Sequence, residues 1–263
     1  MKKTTLAAND ADLLEKLIAT YGKVVTAKQI ETEAINTWDY QQTHNRIQQL
    51  IKNGWLLRIK RGLYAVNDLS SRGYLSISPY VIANLLVAGS YVSFEAALHY
   101  HGMFDQYVQQ FSSVSLKQYK ETSLESIRYR FIKCQEKFFV GWEEVEIENM
   151  ITKIAYREKA LVDLIHFRSE PYVVDLVIEK LNNYREDLNI DNLVNYVRLA
   201  SKKTAKVFGF IFDLLGWDTR AFAMLLEGTR STHRITDNDK VFNAKWRLYY
   251  DEYFDKYQTN KER

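Results

Sequence analysis

The chain has 263 residues, 46% of them hydrophobic and only two of them proline, which predicts a soluble globular protein that buries a core in two domains. One cysteine, Cys134, excludes an intramolecular disulfide, and residues 1–5 lead into a polar rather than an apolar run, so we expect a cytoplasmic protein without a secretion signal. No window approaches the roughly 18 apolar residues of a membrane span, so we expect no membrane partner.

The net charge of +3 is unevenly distributed along the chain. Residues 1–72 carry 11 Lys and Arg against 7 Asp and Glu, whereas residues 73–263 carry 25 against 26. A basic first part favours a nucleic-acid partner, and a slightly basic solvated surface is the alternative. Because a surplus of four charges is modest for a DNA-binding domain, tight binding would require a dimer.

Two short helices are predicted at the start of the chain. Residues 8–20 place apolar side chains at helical spacing, with Asn9 or Asp10 as the cap. Thr26, followed three residues later by Gln29, has the spacing of a capping box and predicts a second helix of about two turns.

The third predicted helix, capped by Asn36 or Thr37, is rich in amide side chains. Its apolar stripe centres on Ile47 and includes Tyr40, Thr43, His44, Leu50 and Ile51. The opposite face carries mainly amides: Trp38, Gln41, Gln42, Asn45, Gln48, Gln49 and Lys52. Gln41, Gln42 and Asn45 are candidates for contacts with adenine, Trp38 belongs to the same face, and Arg46 is a candidate for phosphate or guanine. A solvated helix face without a partner is the alternative.

A β-hairpin is predicted directly after this helix, over residues 55–66. Arg58, Lys60 and Arg61 cluster around its tip, where Gly62 suits a left-handed turn position. Such a tip can contact phosphates or a minor groove. Alternatively, its charges only keep the hairpin solvated. Helix, glycine and cationic hairpin in this order favour a winged helix-turn-helix.

Several segments carry a resemblance to a known family. Residues 45–64 (NRIQQLIKNGWLLRIKRGLY) resemble the N-terminal winged helix of AbiEi-type antitoxins, which also repress their own operon. Residues 79–83 (PYVIA), 91–98 (YVSFEAAL) with His101-Gly102, and 153–164 (KIAYREKALVDL) resemble later segments of that family, so the likeness covers most of residues 8–170.

The resemblance implies a function in a toxin–antitoxin system. A member of this family binds repeats in double-stranded DNA upstream of its operon and counters a nucleotidyltransferase-like toxin. In the type IV scheme of abortive infection, it does so without a stable toxin complex.

The predicted domain boundary lies near Ser76, inside a polar linker at 67–78. Residues 1–75 would form the winged helix-turn-helix, and residues 76–263 a larger α+β domain that ends in several helices. In that domain we expect helices at 80–87, 93–100, 160–165, 173–181, 190–200 and 204–215, and strand-like segments at 108–116, 128–133 and 145–151. The aromatic tail at 240–257 is expected to be core or partner-facing surface, with base stacking as the lesser alternative.

Catalytic and metal-binding patterns are scarce, so we expect neither an enzyme nor a cofactor or metal. His99 and His101 lack an acidic partner at ligand spacing, the glutamates from Glu143 to Glu148 suit a solvated strand edge, and Cys134 has no evident base.

A second basic patch is possible near a predicted helix junction. Four cations recur there at near-helical spacing: Arg198, Lys202, Lys203 and Lys206. They could contact DNA, RNA or an acidic partner, or only make a helix face soluble.

Two classes of function therefore stay open. One is a DNA-binding autorepressor with an antitoxin domain. The other is an interaction protein that neutralises a partner by direct binding through residues 76–263, with the winged helix as a protein-binding module.

Overall fold

The computed structural model describes residues 6–35, 37–67 and 73–258. The fold is mixed α+β, as predicted. The chain divides into two compact units. Unit 1 comprises Met1–Gly89, Thr122–Tyr129 and Glu146–Thr152, and unit 2 comprises Ser90–Glu121, Arg130–Val145 and Lys153–Arg263.

Unit 1 begins with three helices and three strands. Their order is α1 (Ala8–Tyr21), β1 (Val24–Thr26), α2 (Ala27–Ala34), α3 (Tyr40–Lys52), β2 (Leu56–Lys60) and β3 (Leu63–Val66), followed by α4 (Pro79–Leu86). The strands form a sheet in the order β1-β3-β2, and both pairings are antiparallel. The predicted hairpin is therefore confirmed. Of the predicted linker at 67–78, residues 68–72 lie outside the described part of the chain.

The core of unit 1 is formed by the apolar faces of these elements. Leu17, Val25, Ile30 and Ala34 are completely buried, and Ile47 of α3 packs into the same cluster. Burial of one such aliphatic side chain contributes about 1.5–3 kcal/mol. The amphipathic pattern of the helices thus fixes which face of each one is left to solvent.

Two of the predicted caps can be compared with the structure. The capping box at the start of α2 is confirmed, because Gln29 N donates to Thr26 Oγ1 at 3.2 Å and Thr26 N donates to Gln29 Oε1 at 2.7 Å. The predicted cap of α1 was wrong. Ala7 is the N-cap, and Asn9 and Asp10 lie inside the first turn.

A six-stranded sheet runs in the order β6-β7-β5-β4-β9-β8. Its strands are β4 (Tyr91–Val92), β5 (Gln110–Ser115), β6 (Thr122–Leu124), β7 (Ile127–Lys133), β8 (Trp142–Ile147) and β9 (Met150–Ala155). Within unit 2, β4 pairs antiparallel with β5 and parallel with β9. The prediction of one strand over 145–151 was wrong. Glu148 and Asn149 have positive φ angles of 54° and 61°, so the chain turns there between β8 and β9.

The predicted helices of unit 2 are confirmed, with ends that differ by a few residues. One further helix, α10, was not predicted. They are α5 (Phe94–Tyr100), α6 (Arg157–Phe167), α7 (Pro171–Asn183), α8 (Ile190–Leu199), α9 (Lys202–Leu214) and α10 (Arg220–Leu225). Helix α6 packs against α5, α7, α8 and α9. Every one of its residues from Glu158 to Ile165 is buried, so it is the central helix of this unit.

The C-terminal segment forms a small sheet of its own. Strands β10 (His233–Arg234), β12 (Leu248–Tyr250) and β11 (Val241–Asn243) lie in that order, and a 3-10 helix follows at Glu252–Tyr257. Trp246, Tyr250 and Phe254 are buried, which agrees with the prediction that rings of this tail belong to the core. Among the described residues, no helix is both long and apolar enough to cross a bilayer.

Candidate nucleic-acid interface

Helix α3 begins later than the sequence suggested. The predicted caps were Asn36 and Thr37, but Asp39 is the N-cap, and Asn36 lies outside the described residues. Gln42 N donates to Asp39 Oδ1 at 2.7 Å, and Asp39 N donates to Gln42 Oε1 at 3.2 Å. This reciprocal pair satisfies two amides of the first turn, and the Asp39 carboxylate also lies at the positive end of the helix dipole.

The exposed face of α3 carries the amide side chains, as predicted. Thr43, Ile47 and Leu50 are buried. The exposed amides are Gln41, Gln42, Asn45, Gln48 and Gln49. Two assignments to the buried stripe were wrong, because His44 is exposed and Tyr40 exposes 73% of its surface. Tyr40 is the first residue of the helix, where the core has not yet closed around the chain.

Gln41 and Asn45 form a pair one helical turn apart. Gln41 Nε2 donates to Asn45 Oδ1 at 3.4 Å. Both side chains project from the N-terminal half of α3, so their remaining polar atoms face outward together. The Gln42 carbonyl oxygen, in contrast, is already used in the capping box.

Arg46 and Trp38 are partly enclosed within unit 1. The Arg46 guanidinium donates to Gln49 Oε1 at 3.0 Å, and its Nε lies 3.6 Å from Asp10 Oδ1. Its Cζ lies 5.8 Å from the centre of the Trp38 ring, and Trp38 packs against the core of the unit. Trp38 also precedes α3 and is not part of the helix. These contacts direct Arg46 along the protein surface.

The β2–β3 hairpin places two arginines in solvent beside its turn. Arg58 and Arg61 are exposed. Gly62 has a φ of +74°, as its predicted position in the turn requires, and its carbonyl accepts a hydrogen bond from Ala27 N at 2.9 Å. Since that bond fixes the turn to the start of α2, the hairpin tip has a defined position within unit 1.

Lys60 has a different environment from the two arginines. Its Nζ donates to the carbonyl oxygens of Leu85 and Leu86 at 2.5 and 3.3 Å, at the C-terminal end of α4. A cation is favoured at that negative end of the helix dipole. Gln41, Asn45, Arg58 and Arg61 are therefore exposed, whereas Lys60 and Arg46 contact acceptors on other segments of unit 1.

Of the four cations of the predicted second basic patch, Arg198 and Lys202 are exposed, Lys203 is half-buried and Lys206 is buried. Lys206 is only 1% exposed and donates to the Ser231 carbonyl, while Lys203 donates to Ser169 Oγ and to the Ile235 carbonyl at 3.0 and 3.1 Å. Lys202 donates to the Leu225 carbonyl. The helical spacing was correct, but the carbonyls come from distant segments that periodicity does not reveal.

Unit 2 contains a buried polar cluster formed by Tyr91, Ser93, Lys159 and Asp163. The side chains of Lys159 and Asp163 are fully buried and form an ion pair at i, i+4 on α6. Ser93 Oγ donates to Asp163 Oδ2 at 2.6 Å, and Lys159 Nζ lies 2.8 Å from Tyr91 Oη. Burial raises the pKa of Asp163 and lowers the pKa of Lys159, while their attraction opposes both shifts.

Helical periodicity did not reveal this cluster. The available signal was Lys159, one turn before Asp163, which interrupts the otherwise apolar run from Ala160 to Ile165. On a helix that is buried on every side, such charges must find partners inside the protein. We assign the cluster a structural role, because none of its side chains is accessible to a substrate.

A cavity of about 480 Å³ in unit 2 is lined by Cys134, Phe138, His166 and other residues. Burial raises the pKa of the Cys134 thiol to about 11, so it is protonated at neutral pH and a poor nucleophile. Burial, Lys159 and Lys137 lower the pKa of His166 to about 4. No group of His, Cys, Asp and Glu among the described residues is arranged to hold a metal ion.

The comparisons with known proteins give a likeness of fold. No family model and no curated protein sequence matches the chain. The crystal structure of the RV2827C protein from Mycobacterium tuberculosis matches with a TM-score of 0.66 and 14% sequence identity, over 94% of this chain and 92% of that one. At this identity, the likeness concerns the fold alone.

Proposed function

We propose that the protein is a sequence-specific DNA-binding repressor in which unit 1 acts as a winged helix-turn-helix. The observation that supports this best is the order α1-β1-α2-α3-β2-β3 with a β1-β3-β2 sheet. In this arrangement α3 is the recognition helix and the β2–β3 hairpin is the wing.

The chemistry of the exposed groups supports a duplex as the partner. Amides on α3 suit base edges in a major groove, and Arg58 and Arg61 on the hairpin suit phosphates. Because the amides and the arginines lie on different elements, α3 would determine which sequence is bound, and the hairpin would add affinity for any sequence.

The antitoxin function is proposed from the resemblance to AbiEi-type proteins. It would make the protein an autorepressor that binds repeats upstream of its own operon and counters a nucleotidyltransferase-like toxin without a stable complex. The test is co-expression with the neighbouring gene: we expect rescue of growth and no co-purification. Stable co-purification would favour neutralisation by direct binding.

DNA binding is tested by fluorescence anisotropy with duplexes that cover the region upstream of the operon. Arg58→Ala and Arg61→Ala should each weaken binding to every duplex and reduce the slope of log K against log salt by about 1. Lys23→Ala, which removes an exposed cation elsewhere in unit 1, is the control. Equal affinity of the wild type and both arginine variants at all salt concentrations would contradict the proposed role of the hairpin.

A further inference from the structure

The hydrogen bonds on α3 restrict which bases the helix can recognise. Four side chains near its N-terminal end were candidates for base contacts: Gln41, Gln42, Asn45 and Arg46. Gln42 has its carbonyl oxygen in the capping box, and the Arg46 guanidinium is held by Gln49 and Asp10. Gln41 and Asn45 are therefore the two candidates that bond to each other and still present both an acceptor and a donor outward.

These two amides act as one unit because they bond to each other. With Gln41 Nε2 donating to Asn45 Oδ1, the outward atoms are the Gln41 carbonyl oxygen, an acceptor, and the Asn45 amide nitrogen, a donor. If both amide groups are rotated by 180°, the roles exchange between the residues. The pair still presents one acceptor and one donor.

We propose that the Gln41–Asn45 pair recognises a single adenine in the major groove, and that α3 does not recognise guanine. Adenine presents an acceptor at N7 beside a donor at N6, which is the complement of this pair. Guanine presents two acceptors, N7 and O6, and its usual partner is the two-donor fork of arginine. The arginine of this helix is engaged elsewhere, so the exposed surface lacks that fork. This inference rests on the proposed DNA-binding function and narrows its target.

Tyr40 extends the same preference to the next base pair. It is adjacent to Gln41 in the chain and exposes 73% of its surface at the start of the helix. An apolar ring surface at this position suits the C5 methyl group of thymine, the apolar feature of the major groove. The expected target of α3 is therefore an adenine with an A·T pair beside it.

The experiment is selection of bound duplexes from a pool of random sequences, using the full chain. Wild type should enrich adenine at one position of each half-site. Gln41→Ala and Asn45→Ala should each reduce the preference for that adenine by about 5- to 150-fold. Gln109→Ala, which removes an exposed amide in unit 2, is the control and should keep the wild-type preference.

A second variant tests the inference by gain of specificity. Asn45→Arg restores an outward two-donor fork and should replace adenine by guanine at the same position. Unchanged adenine preference in this variant and in both alanine variants, or enrichment of guanine by the wild type, would overturn the inference and leave the proposed function intact. Failure of the wild type to enrich any duplex would overturn the proposed function itself. Circular dichroism of each variant confirms that it is folded.

Discussion

Helices α3 and α6 both carry polar side chains in pairs one turn apart, yet the two pairs have opposite surroundings. Gln41 and Asn45 on α3 face solvent, and their mutual hydrogen bond leaves other polar atoms unused. Lys159 and Asp163 on α6 are enclosed, and Ser93 and Tyr91 complete their hydrogen bonding. The first pair can therefore bind a partner, whereas the second stabilises the fold.

The difference follows from how completely each helix is covered. Helix α3 buries one stripe, so its remaining surface is free of constraints from the core. Four other helices pack against α6, so each buried polar group on it must find its hydrogen-bond partners inside unit 2. Substitutions on α6 should therefore change stability, and substitutions on the outer face of α3 should change binding.

The largest expected effect comes from breaking the buried ion pair. Asp163→Ala leaves the Lys159 ammonium buried without its counter-ion and should lower the free energy of unfolding by about 3–5 kcal/mol, measured by urea denaturation. Replacing both charges by apolar side chains, as Lys159→Met with Asp163→Leu, should recover much of that loss.

An exposed ion pair at the same i, i+4 spacing provides the control. Lys16 and Asp12 on α1 lie 2.8 Å apart with more than half of each side chain exposed. Asp12→Ala should leave the denaturation midpoint unchanged, because an exposed pair contributes little. A loss of similar size in both variants would refute the distinction between the covered and the exposed pair.

An intermediate effect is expected from pH at His166. Its pKa is about 4 in the folded protein and about 6.5 when unfolded, so the unfolded state binds more protons between these values. The contribution of His166 to the free energy of unfolding is fully present above pH 6.5 and is lost as the pH falls towards 4. When the pH is lowered from 7 to 4.5, the free energy of unfolding of the wild type should fall by about 1–3 kcal/mol more than that of His166→Gln, measured by urea denaturation. Parallel losses in the two proteins would exclude this role of His166.

The smallest expected effect concerns the cap that starts α3. Asp39→Ala removes the acceptor for Gln42 N and should lower the free energy of unfolding by about 1 kcal/mol, measured by thermal or urea denaturation. Asp39→Asn keeps a capping oxygen and should be close to wild type. If the asparagine variant loses as much as the alanine variant, the carboxylate charge is the stabilising feature and not the hydrogen bond.

The amino-acid sequence by itself determined most of the local structure. Periodicity placed the main helices within a few residues, the Thr26 and Gln29 spacing specified a capping box, and Gly62 marked the hairpin turn. It also placed the α3 amides on the exposed face. These features depend on neighbours within a few positions, so the sequence contains nearly all of the information that they require.

Only the tertiary structure decided which polar groups are free. Arg46 contacts Asp10, and Lys60 donates to the carbonyl of Leu85. Lys206 donates to the carbonyl of Ser231. Each of these acceptors is far from its cation in the sequence. A charged residue in a helical pattern looks the same whether it faces water or a distant carbonyl. The availability of a side chain for a partner depends on such non-local contacts, which helical periodicity does not encode.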